Sequence, residues 1–227
     1  MAETLQFYGR RKGRPLRPTM RDMLETRLPA LRFDPARTVA SQFADAAGKA
    51  PEQLFLEIGF GGGENLAAIA AARPEAGFIG AEPFINGVAS LVRHVEAAGL
   101  TNIRIWDDDV RLILHSMADA TLAGAYVLFP DPWPKRRHAA RRILQPMVLD
   151  ALARLIRPGG SLMLASDHPV AKSWLLQAAC THPDFTWTAR RPQDWRTRPD
   201  HLVPTRYMQK AEREDRVPNW FLFQRRF

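Results

Sequence analysis

The chain has 227 residues, 46% of them hydrophobic and 25% charged, which suits one full α/β domain of ordinary globular composition. No stretch approaches the roughly 20 apolar residues that a membrane span needs, and the first residues lack the apolar core of a secretory signal. The lone cysteine, Cys180, excludes an internal disulfide and predicts a small core residue in a reducing compartment. We therefore expect a cytoplasmic protein that does not enter a membrane.

The formal net charge of +8 is unevenly distributed along the chain. Residues 10–37 contain nine basic and three acidic side chains, and residues 135–142 contain five basic side chains and no acid. Residues 44–131, between these clusters, are acid-rich. Basic flanks around an acidic centre indicate a polyanionic partner such as nucleic acid, and a solvated basic face is the plainer alternative.

Residues 1–48 are rich in Arg and Pro and predict a basic arm with one short amphipathic helix, whereas residues 49–227 predict one domain. Strands are predicted at Gln53–Ile58, Gly77–Ala81, Asn102–Trp106, Gly124–Phe129, Ser161–Ser166 and Trp220–Gln224. Helices are predicted at Glu64–Ala72, Ile85–Ala98, Val110–Met117, Ile143–Ile156 and Val170–Cys180. This alternation predicts an α/β fold with a mostly parallel sheet covered by helices on both faces.

A glycine-rich turn follows the first strand. Gly59, Gly61 and Gly63 allow positive φ angles and let a ligand approach the bare backbone. Glu64 stands where a dinucleotide-binding turn would need a third glycine, and its carboxylate would repel a pyrophosphate. The turn alone leaves open both a cofactor such as S-adenosyl-L-methionine and a plain loop of unusual geometry.

Acids at the ends of three successive strands strengthen the cofactor interpretation. Glu82 ends the second strand, where a carboxylate can accept hydrogen bonds from both ribose hydroxyls of an adenosine. Asp109 follows the third strand, within reach of an adenine edge, and Glu57 ends the first, where it can meet the cationic part of a methionine moiety. Each acid alone is more often a surface residue or a helix cap, but together they predict an adenosine-containing cofactor at the carboxyl edge of the sheet.

The run Val127–Arg142 is the most specific stretch of the sequence. Prolines on both sides of Asp131 hold it at the end of the fourth strand, and Trp133 offers a flat face for stacking a base. Lys135 and the arginines after it can contact phosphates. A rigid surface loop would explain the prolines but not the density of acid, aromatic and basic groups.

Four motifs resemble the bacterial tRNA (guanine-N7)-methyltransferases: LEIGFGGGENL, FPDPWPK with its trailing arginines, LASDH and PTRYMQKA. The resemblance covers Leu54 to Phe227. It implies a Rossmann-like class I methyltransferase, with a seven-stranded sheet whose C-terminal strand is antiparallel. It also implies transfer of a methyl group from S-adenosyl-L-methionine to N7 of a variable-loop guanosine of tRNA, at position 46 by tRNA convention.

The same resemblance implies roles for individual residues. The cofactor-binding residues would be Glu57, Gly59, Gly61, Gly63, Glu82, Asp109 and Asp131, of which Asp131 is also catalytic. The substrate-binding residues would be Lys135, Asp167, Thr205, Arg206, Tyr207 and Met208, with further RNA contacts from Arg136, Arg137, Arg141 and Arg142. The family usually has a glutamate where this chain has Met208, and Glu212 and Glu214 are candidates to replace that carboxylate.

Other functions remain open at this point. The same cofactor fold serves methyltransferases that act on other RNAs, on DNA or on small molecules, and a non-catalytic RNA-binding protein could retain it. A dehydrogenase is disfavoured by Glu64, and the six histidines lack metal-ligand spacing, so we expect no metal. No obligate protein partner is evident, and the sequence leaves monomer and homodimer open.

Overall fold

The computed structural model describes residues 7–43 and 48–227, so the parts of the predicted arm at residues 1–6 and 44–47 lie outside the described residues. The described chain forms β1 (Leu54–Ile58), β2 (Gly77–Ala81), β3 (Ile103–Trp106), β4 (Leu122–Leu128), β5 (Ile156–Ser166), β6 (Phe185–Trp187) and β7 (Asn219–Arg225). Its helices are α1 (Pro18–Leu31), α2 (Val39–Phe43), α3 (Glu64–Ala72), α4 (Ile85–Ala98), α5 (Pro146–Leu155), α6 (Pro169–Thr181), α7 (Gln193–Arg196) and α8 (Arg206–Arg213).

The strands form one sheet in the order β3-β2-β1-β4-β5-β7-β6. The pairs β2–β3, β1–β2, β1–β4 and β4–β5 are parallel, whereas β7 is antiparallel to both β5 and β6. The chain order reverses between β1 and β4, and the carboxyl ends of these strands flank the crevice where such folds bind ligands. The predicted fold class, including the antiparallel C-terminal strand, is confirmed.

Two apolar clusters hold helices against opposite faces of the sheet. On one face, α3 and α4 pack over Phe55 and Phe78, and on the other α5 and α6 pack over Leu56 and Val127. Full burial of one such side chain contributes about 1.5–3 kcal/mol. The sheet is thereby fixed as a rigid base, and its carboxyl edge carries the candidate site.

The N-terminal region packs on the edge of this domain. Helix α1 contacts α4, and the Phe33 backbone N–H donates to the Ile105 carbonyl of β3 while the Phe33 side chain is buried. The Arg32 guanidinium donates two hydrogen bonds, of 2.9 and 2.7 Å, to the Asp107 carboxylate. The described part of the N-terminal region contains two helices where one was expected.

Several predicted elements differ from the structure. Two short 3₁₀ helices, Val110–Leu112 and Leu114–Ser116, replace the helix expected at Val110–Met117, and α5 begins only at Pro146, where a proline suits a first turn. Strand β5 begins at Ile156, so the Arg157-Pro158-Gly159-Gly160 run expected to precede a strand lies inside it as an irregularity in the pairing with β4. Cys180 is exposed, so its prediction as a core residue is wrong; it lies on a solvent-facing side of α6.

Candidate active site

The glycine turn connects β1 to α3 and opens onto a cavity. Gly59, Gly61 and Gly63 have φ angles of +74°, +55° and +78°, a region that side chains with a Cβ rarely adopt. At Gly59 and Gly61 an added Cβ would meet nothing within 4 Å, so the bare backbone of the turn faces open space. The conformation predicted from the glycine spacing is therefore present, and it leaves room for a ligand.

The cavity has a volume of about 390 Å³ and lies at the carboxyl ends of β1 and β4. It brings together six of the predicted site residues, namely Glu57, Gly59, Gly61, Thr205, Tyr207 and Met208. Its wall also contains Asn65, Phe84, Asn86, Gly87 and Phe129. Of the remaining predicted residues, Glu82 and Asp167 contact this wall through hydrogen bonds to Gly61 and Tyr207.

Glu57 is a buried acid in the cavity wall. Asn65 Nδ2 donates a hydrogen bond of 3.2 Å to its Oε2, and Asn65 Oδ1 in turn accepts from the Val203 backbone N–H. Burial raises the pKa of Glu57 to about 7, the hydrogen bond from Asn65 opposes this, and the nearby charges of Glu82 and Glu64 raise it further. A cation in the cavity would stabilise the ionised form, which suits the ammonium and sulfonium groups of S-adenosylmethionine.

Glu82 connects the glycine turn to the start of α4. Its Oε2 accepts a 2.9 Å hydrogen bond from the Gly61 N–H, and its Oε1 accepts one of 2.9 Å from the Phe84 N–H. Burial raises the pKa of Glu82, and these two backbone donors lower it. Each carboxylate oxygen retains acceptor capacity, which is what binding of two ribose hydroxyls requires.

Asp109 ends the line of strand-end acids, but its carboxylate is already paired. It caps the 3₁₀ helix that follows β3 by accepting from the Arg111 N–H, and it forms a salt bridge with the Arg111 guanidinium. The Asp109 carbonyl accepts a 2.8 Å hydrogen bond from Trp106 Nε1. A contact between Asp109 and an adenine edge therefore stays a prediction. It requires that the Asp109 carboxylate bind the adenine while still paired with Arg111, or that this salt bridge break.

The Pro130–Pro134 loop follows β4 and holds Asp131 in an exposed position. Its backbone is fixed by Trp174 Nε1, which donates to the Pro132 carbonyl at 3.3 Å, and by Arg142, which donates to the Trp133 carbonyl at 3.3 Å. Phe129 and Trp133 have φ angles of +53° and +36°, a costly conformation that clusters at functional sites. The charge of Asp131 contributes to the raised pKa of Glu82, and Asp131 follows β4 at the carboxyl edge of the sheet, where β1 also ends.

The basic residues after this loop divide into two groups. Lys135, Arg136 and Arg137 are exposed, whereas Arg141 and Arg142 are half-buried against aromatic rings. The Arg141 guanidinium lies 5.1 Å from the Trp133 ring centroid and 4.8 Å from that of Tyr8, so one face of Trp133 is covered rather than open for a base. The first group is therefore free to meet phosphates, and the second stabilises the loop.

The predicted substrate residues of the C-terminal part meet on one side of the cavity. Asp167 is buried at the end of β5, with its carboxylate 3.5 Å from the Tyr207 hydroxyl and 2.9 Å from the Arg216 guanidinium. Thr205 Oγ1 accepts a hydrogen bond from the Met208 N–H at the start of α8, the helix whose first residue is Arg206. The Met208 side chain is buried and lines the cavity. Glu214, a candidate to replace the missing carboxylate, pairs with Arg216 at 2.7 Å.

An N-terminal segment, residues 11–14, lies against the start of α4. The Ile85 N–H donates to the Arg11 carbonyl, the Gly13 N–H donates to Asn86 Oδ1, and Asn86 Nδ2 donates to the Arg14 carbonyl. Arg11 also forms a 2.6 Å salt bridge with Asp108. Sequence reasoning missed this contact and the role of Asn86, because no local pattern joins residues more than 70 positions apart.

A second cavity, of about 580 Å³, opens near the amino ends of β1 and β5, away from the strand-end acids. Phe55, Tyr126 and Trp220 form part of its wall, with Arg73 and Arg157 also present. It contains none of the predicted site residues, so size alone does not identify the active site. Across the described ranges there is no group of three or more potential metal-ligating side chains, and no helix long and apolar enough to cross a bilayer.

Solved RNA methyltransferases share this architecture. The 16S rRNA (adenine(1408)-N(1))-methyltransferase from Catenulisporales acidiphilia matches with a TM-score of 0.55 over 86% of this chain and 94% of its own, at 16% identity. A variant of that enzyme was solved with its cosubstrate SAM, and an rRNA methylase from Streptococcus thermophilus matches with a TM-score of 0.54 over 83% of this chain and 92% of its own, at 12% identity. These solved structures are at most 16% identical to the chain, and they show that it has the fold of these methyltransferases.

Sequence relatives specify the family. Residues 51–219 match a family model whose description is "Putative methyltransferase". The tRNA (guanine-N(7)-)-methyltransferase from Rhodospirillum rubrum is 49% identical over 99% of this chain and 89% of its own length, and that from Agrobacterium fabrum is 42% identical over 98% and 96%. The chain therefore belongs to the tRNA (guanine-N(7)-)-methyltransferase family, and the predicted resemblance is confirmed.

Proposed function

We propose that this chain transfers a methyl group from S-adenosylmethionine to N7 of a guanine in tRNA, at the variable-loop guanosine of position 46. The observation that carries the proposal is the position of Asp131, which is exposed just beyond the carboxyl end of β4, one of the two strands that end at the cofactor cavity, and which precedes three exposed basic residues. A guanine bound at Asp131 would have the cofactor cavity on one side and the exposed basic residues on the other.

The cavity suits the cofactor on structural grounds. Open space over Gly59 and Gly61 admits a ligand to the backbone, Glu57 is a buried acid that a cation would ionise, and Glu82 retains acceptor capacity for hydroxyls. S-adenosylmethionine supplies an electrophilic methyl group when it is bound. The residues of this chain then have to align the acceptor with that group and exclude water from the contact.

The chemistry of N7 decides what Asp131 has to do. N7 of guanine already carries a lone pair, and its methylation releases no proton from that atom, so no strong general base is required. We assign Asp131 to accept hydrogen bonds from the guanine N1–H and exocyclic amine. Its negative charge would also stabilise the positive charge that develops on the ring, an effect typically worth about 3–4 kcal/mol in a dry site.

The exposed basic residues after the Pro130–Pro134 loop are suited to bind the tRNA backbone. Lys135, Arg136 and Arg137 come four to six positions after Asp131 and face solvent. The charges of Arg141, Arg137 and Lys135 contribute, after desolvation, to the lowered pKa of His138, which indicates a concentrated positive potential. We assign the three exposed residues to phosphates of the tRNA backbone, and with tRNA as the partner we place the chain's work in the cytoplasm.

Labelled S-adenosylmethionine tests the proposal directly. The full chain is incubated with a tRNA transcript that carries guanosine at position 46 and, as matched control, with the same transcript carrying adenosine there. We expect label in N7-methylguanosine from the first transcript and none from the second. Label in a different nucleoside would refute the target, and absence of label from both would favour an RNA-binding protein without activity.

A further inference from the structure

Asp167 has a buried ionic environment that the assigned reaction leaves unexplained. Its side chain is only 1% exposed, and its Oδ2 lies 2.9 Å from Nη1 of Arg216. Its Oδ1 lies 3.5 Å from the Tyr207 hydroxyl, and Tyr207 lines the cofactor cavity. A buried carboxylate without a compensating cation is strongly unfavourable, and Arg216 supplies the cation that lies against Asp167.

Arg216 is itself held in place by its surroundings. It follows Asp215, whose φ angle is +52°, and its backbone N–H donates to the Ala211 carbonyl at the end of α8. Nη2 of Arg216 lies 2.7 Å from the Glu214 carboxylate, so the guanidinium joins a buried acid on one side to an exposed acid on the other. A planar guanidinium with two partners is fixed in orientation as well as in position.

Tyr207 connects this ion pair to the cavity wall near Phe129, which precedes the Pro130–Pro134 loop. Desolvation raises the pKa of its hydroxyl, and the charge of Asp167 raises it further, so the hydroxyl keeps its proton and can donate it to a hydrogen bond. The Tyr207 ring lies 5.4 Å from that of Phe129, the residue that opens the Asp131 loop. Met208, the next residue, presents an apolar side chain to the cavity, and the carboxylate that contacts Tyr207 is that of Asp167.

We infer that Arg216 is a positioning residue for tRNA methylation, which holds the Asp167 carboxylate in place so that Asp167 and Tyr207 can bind the acceptor guanine. This inference rests on the proposed role of Asp167 and the Thr205–Met208 segment in substrate binding. Arg216 acts through Asp167 and Tyr207 and does not itself touch the reacting atoms.

The Arg216→Gln variant tests this inference against a purely structural role. We expect the KM for tRNA to rise about tenfold or more and kcat to fall, because the Asp167 carboxylate loses the guanidinium that orients it. The dissociation constant for S-adenosylmethionine should stay within about twofold of the wild type, since Glu57 and Glu82 are untouched. Arg216→Lys, which keeps a cation, should recover part of the tRNA KM, and Arg213→Gln, an exposed arginine on α8, is the matched control.

A double-mutant cycle separates positioning from stability. In an Asp167→Asn background, Arg216→Gln should cause little further loss, because the carboxylate that it positions is already gone. Full additivity of the two losses, or a parallel loss of cofactor affinity, would overturn the inference. Thermal unfolding of each variant shows whether it is folded. In the Asp167→Asn background the side chain at position 167 is neutral, so loss of the Arg216 cation leaves no buried charge unpaired. Activity is scored as label in whichever nucleoside the wild type methylates. If that nucleoside is not N7-methylguanosine, the proposed function is refuted, but the comparison of Arg216 variants still tests the positioning role.

Discussion

Glu57 and Glu82, which we assign to the cofactor side, and Asp131, which we assign to the acceptor side, all lie at or beyond the carboxyl ends of parallel strands, yet their surroundings differ. The two glutamates are buried, with hydrogen bonds from Asn65 or from backbone N–H groups. Asp131 is exposed on a loop whose backbone is tied down at Pro132 and Trp133. The cofactor side thus resembles a preformed receptor, whereas the acceptor side presents a rigid loop on which RNA can complete the enclosure.

This comparison predicts that the two sides fail separately. Changes on the cofactor side should weaken S-adenosylmethionine binding, and changes on the acceptor side should lower turnover or tRNA affinity while cofactor binding persists. The following experiments are ordered from the largest expected effect to the smallest.

Asp131→Asn should have the largest effect on turnover. The variant keeps the shape of the side chain but loses the charge that we propose stabilises the methylated ring, so we expect kcat to fall roughly 10²–10³-fold. The affinity for S-adenosylmethionine, measured by titration calorimetry, should change by less than about threefold because the cavity is intact. An equal loss of cofactor binding would instead make Asp131 a cofactor ligand first, and the two sides would not be separable.

Gly87→Ala should damage the cofactor side alone. A Cβ at Gly87 would collide with the Gly61 carbonyl oxygen, which forces the glycine turn away from the start of α4. We expect about a tenfold or greater loss in S-adenosylmethionine affinity, since a backbone collision of this kind cannot be relieved by moving a flexible side chain. Gly99→Ala is the matched control at the other end of α4, where φ is +60° and the Cβ meets open space. That control should cost about 1 kcal/mol of stability and leave affinity unchanged.

The pH dependence of cofactor binding follows from Glu57. Its pKa is raised from 4.5 to about 7, so below pH 7 the free protein holds a neutral acid where the cofactor brings positive charge. Affinity should therefore rise with pH and level off above about 7, with a weakening of about tenfold per unit at lower pH. Calorimetry in buffers of different ionisation enthalpy should detect proton release near pH 7. Glu57→Gln should abolish this dependence, and an unchanged profile in that variant would assign the titration to another group.

Neutralising the exposed cations should have the smallest effect. Lys135→Gln, Arg136→Gln and Arg137→Gln should each weaken tRNA binding a few-fold and lower the salt slope by about 1, as loss of one phosphate contact does. Binding is measured at several salt concentrations, with S-adenosylmethionine affinity as the control. Weakening that does not depend on salt would argue against phosphate contacts.

The first half of the domain was predictable because its signals are local. Glu64–Ala72, Gly77–Ala81 and Ile85–Ala98 were predicted with the bounds that the structure has, since glycine, proline and apolar periodicity mark both ends of each element. Strand β6 was missed because it has three residues and pairs only with β7. Helix α8 was missed because its eight residues are mostly polar, and an apolar pattern over two turns is too short to identify a helix.

The candidate site shows the same division. Glu57 and Glu82 could be placed from the positions of strand ends, because parallel strands bring their carboxyl ends to one edge. The pairing of Asp109 with Arg111 was not anticipated, although the two residues are two positions apart, because the sequence does not show which group a carboxylate will accept from. The link from Asp167 to Arg216 joins residues 49 positions apart and depends on the tertiary fold.

The place of β7 between β5 and β6 has a consequence for how the chain is made. Strand β6 pairs with β7 in the sheet, and β7 lies more than 30 residues later in the sequence. During synthesis, β6 therefore has no strand to pair with until β7 emerges from the ribosome. The edge of β5 that pairs with β7 also stays exposed until then. Residues 219–225 therefore complete the sheet last. A chain that stalls on the ribosome before Asn219 would expose unpaired strand edges and be prone to aggregate.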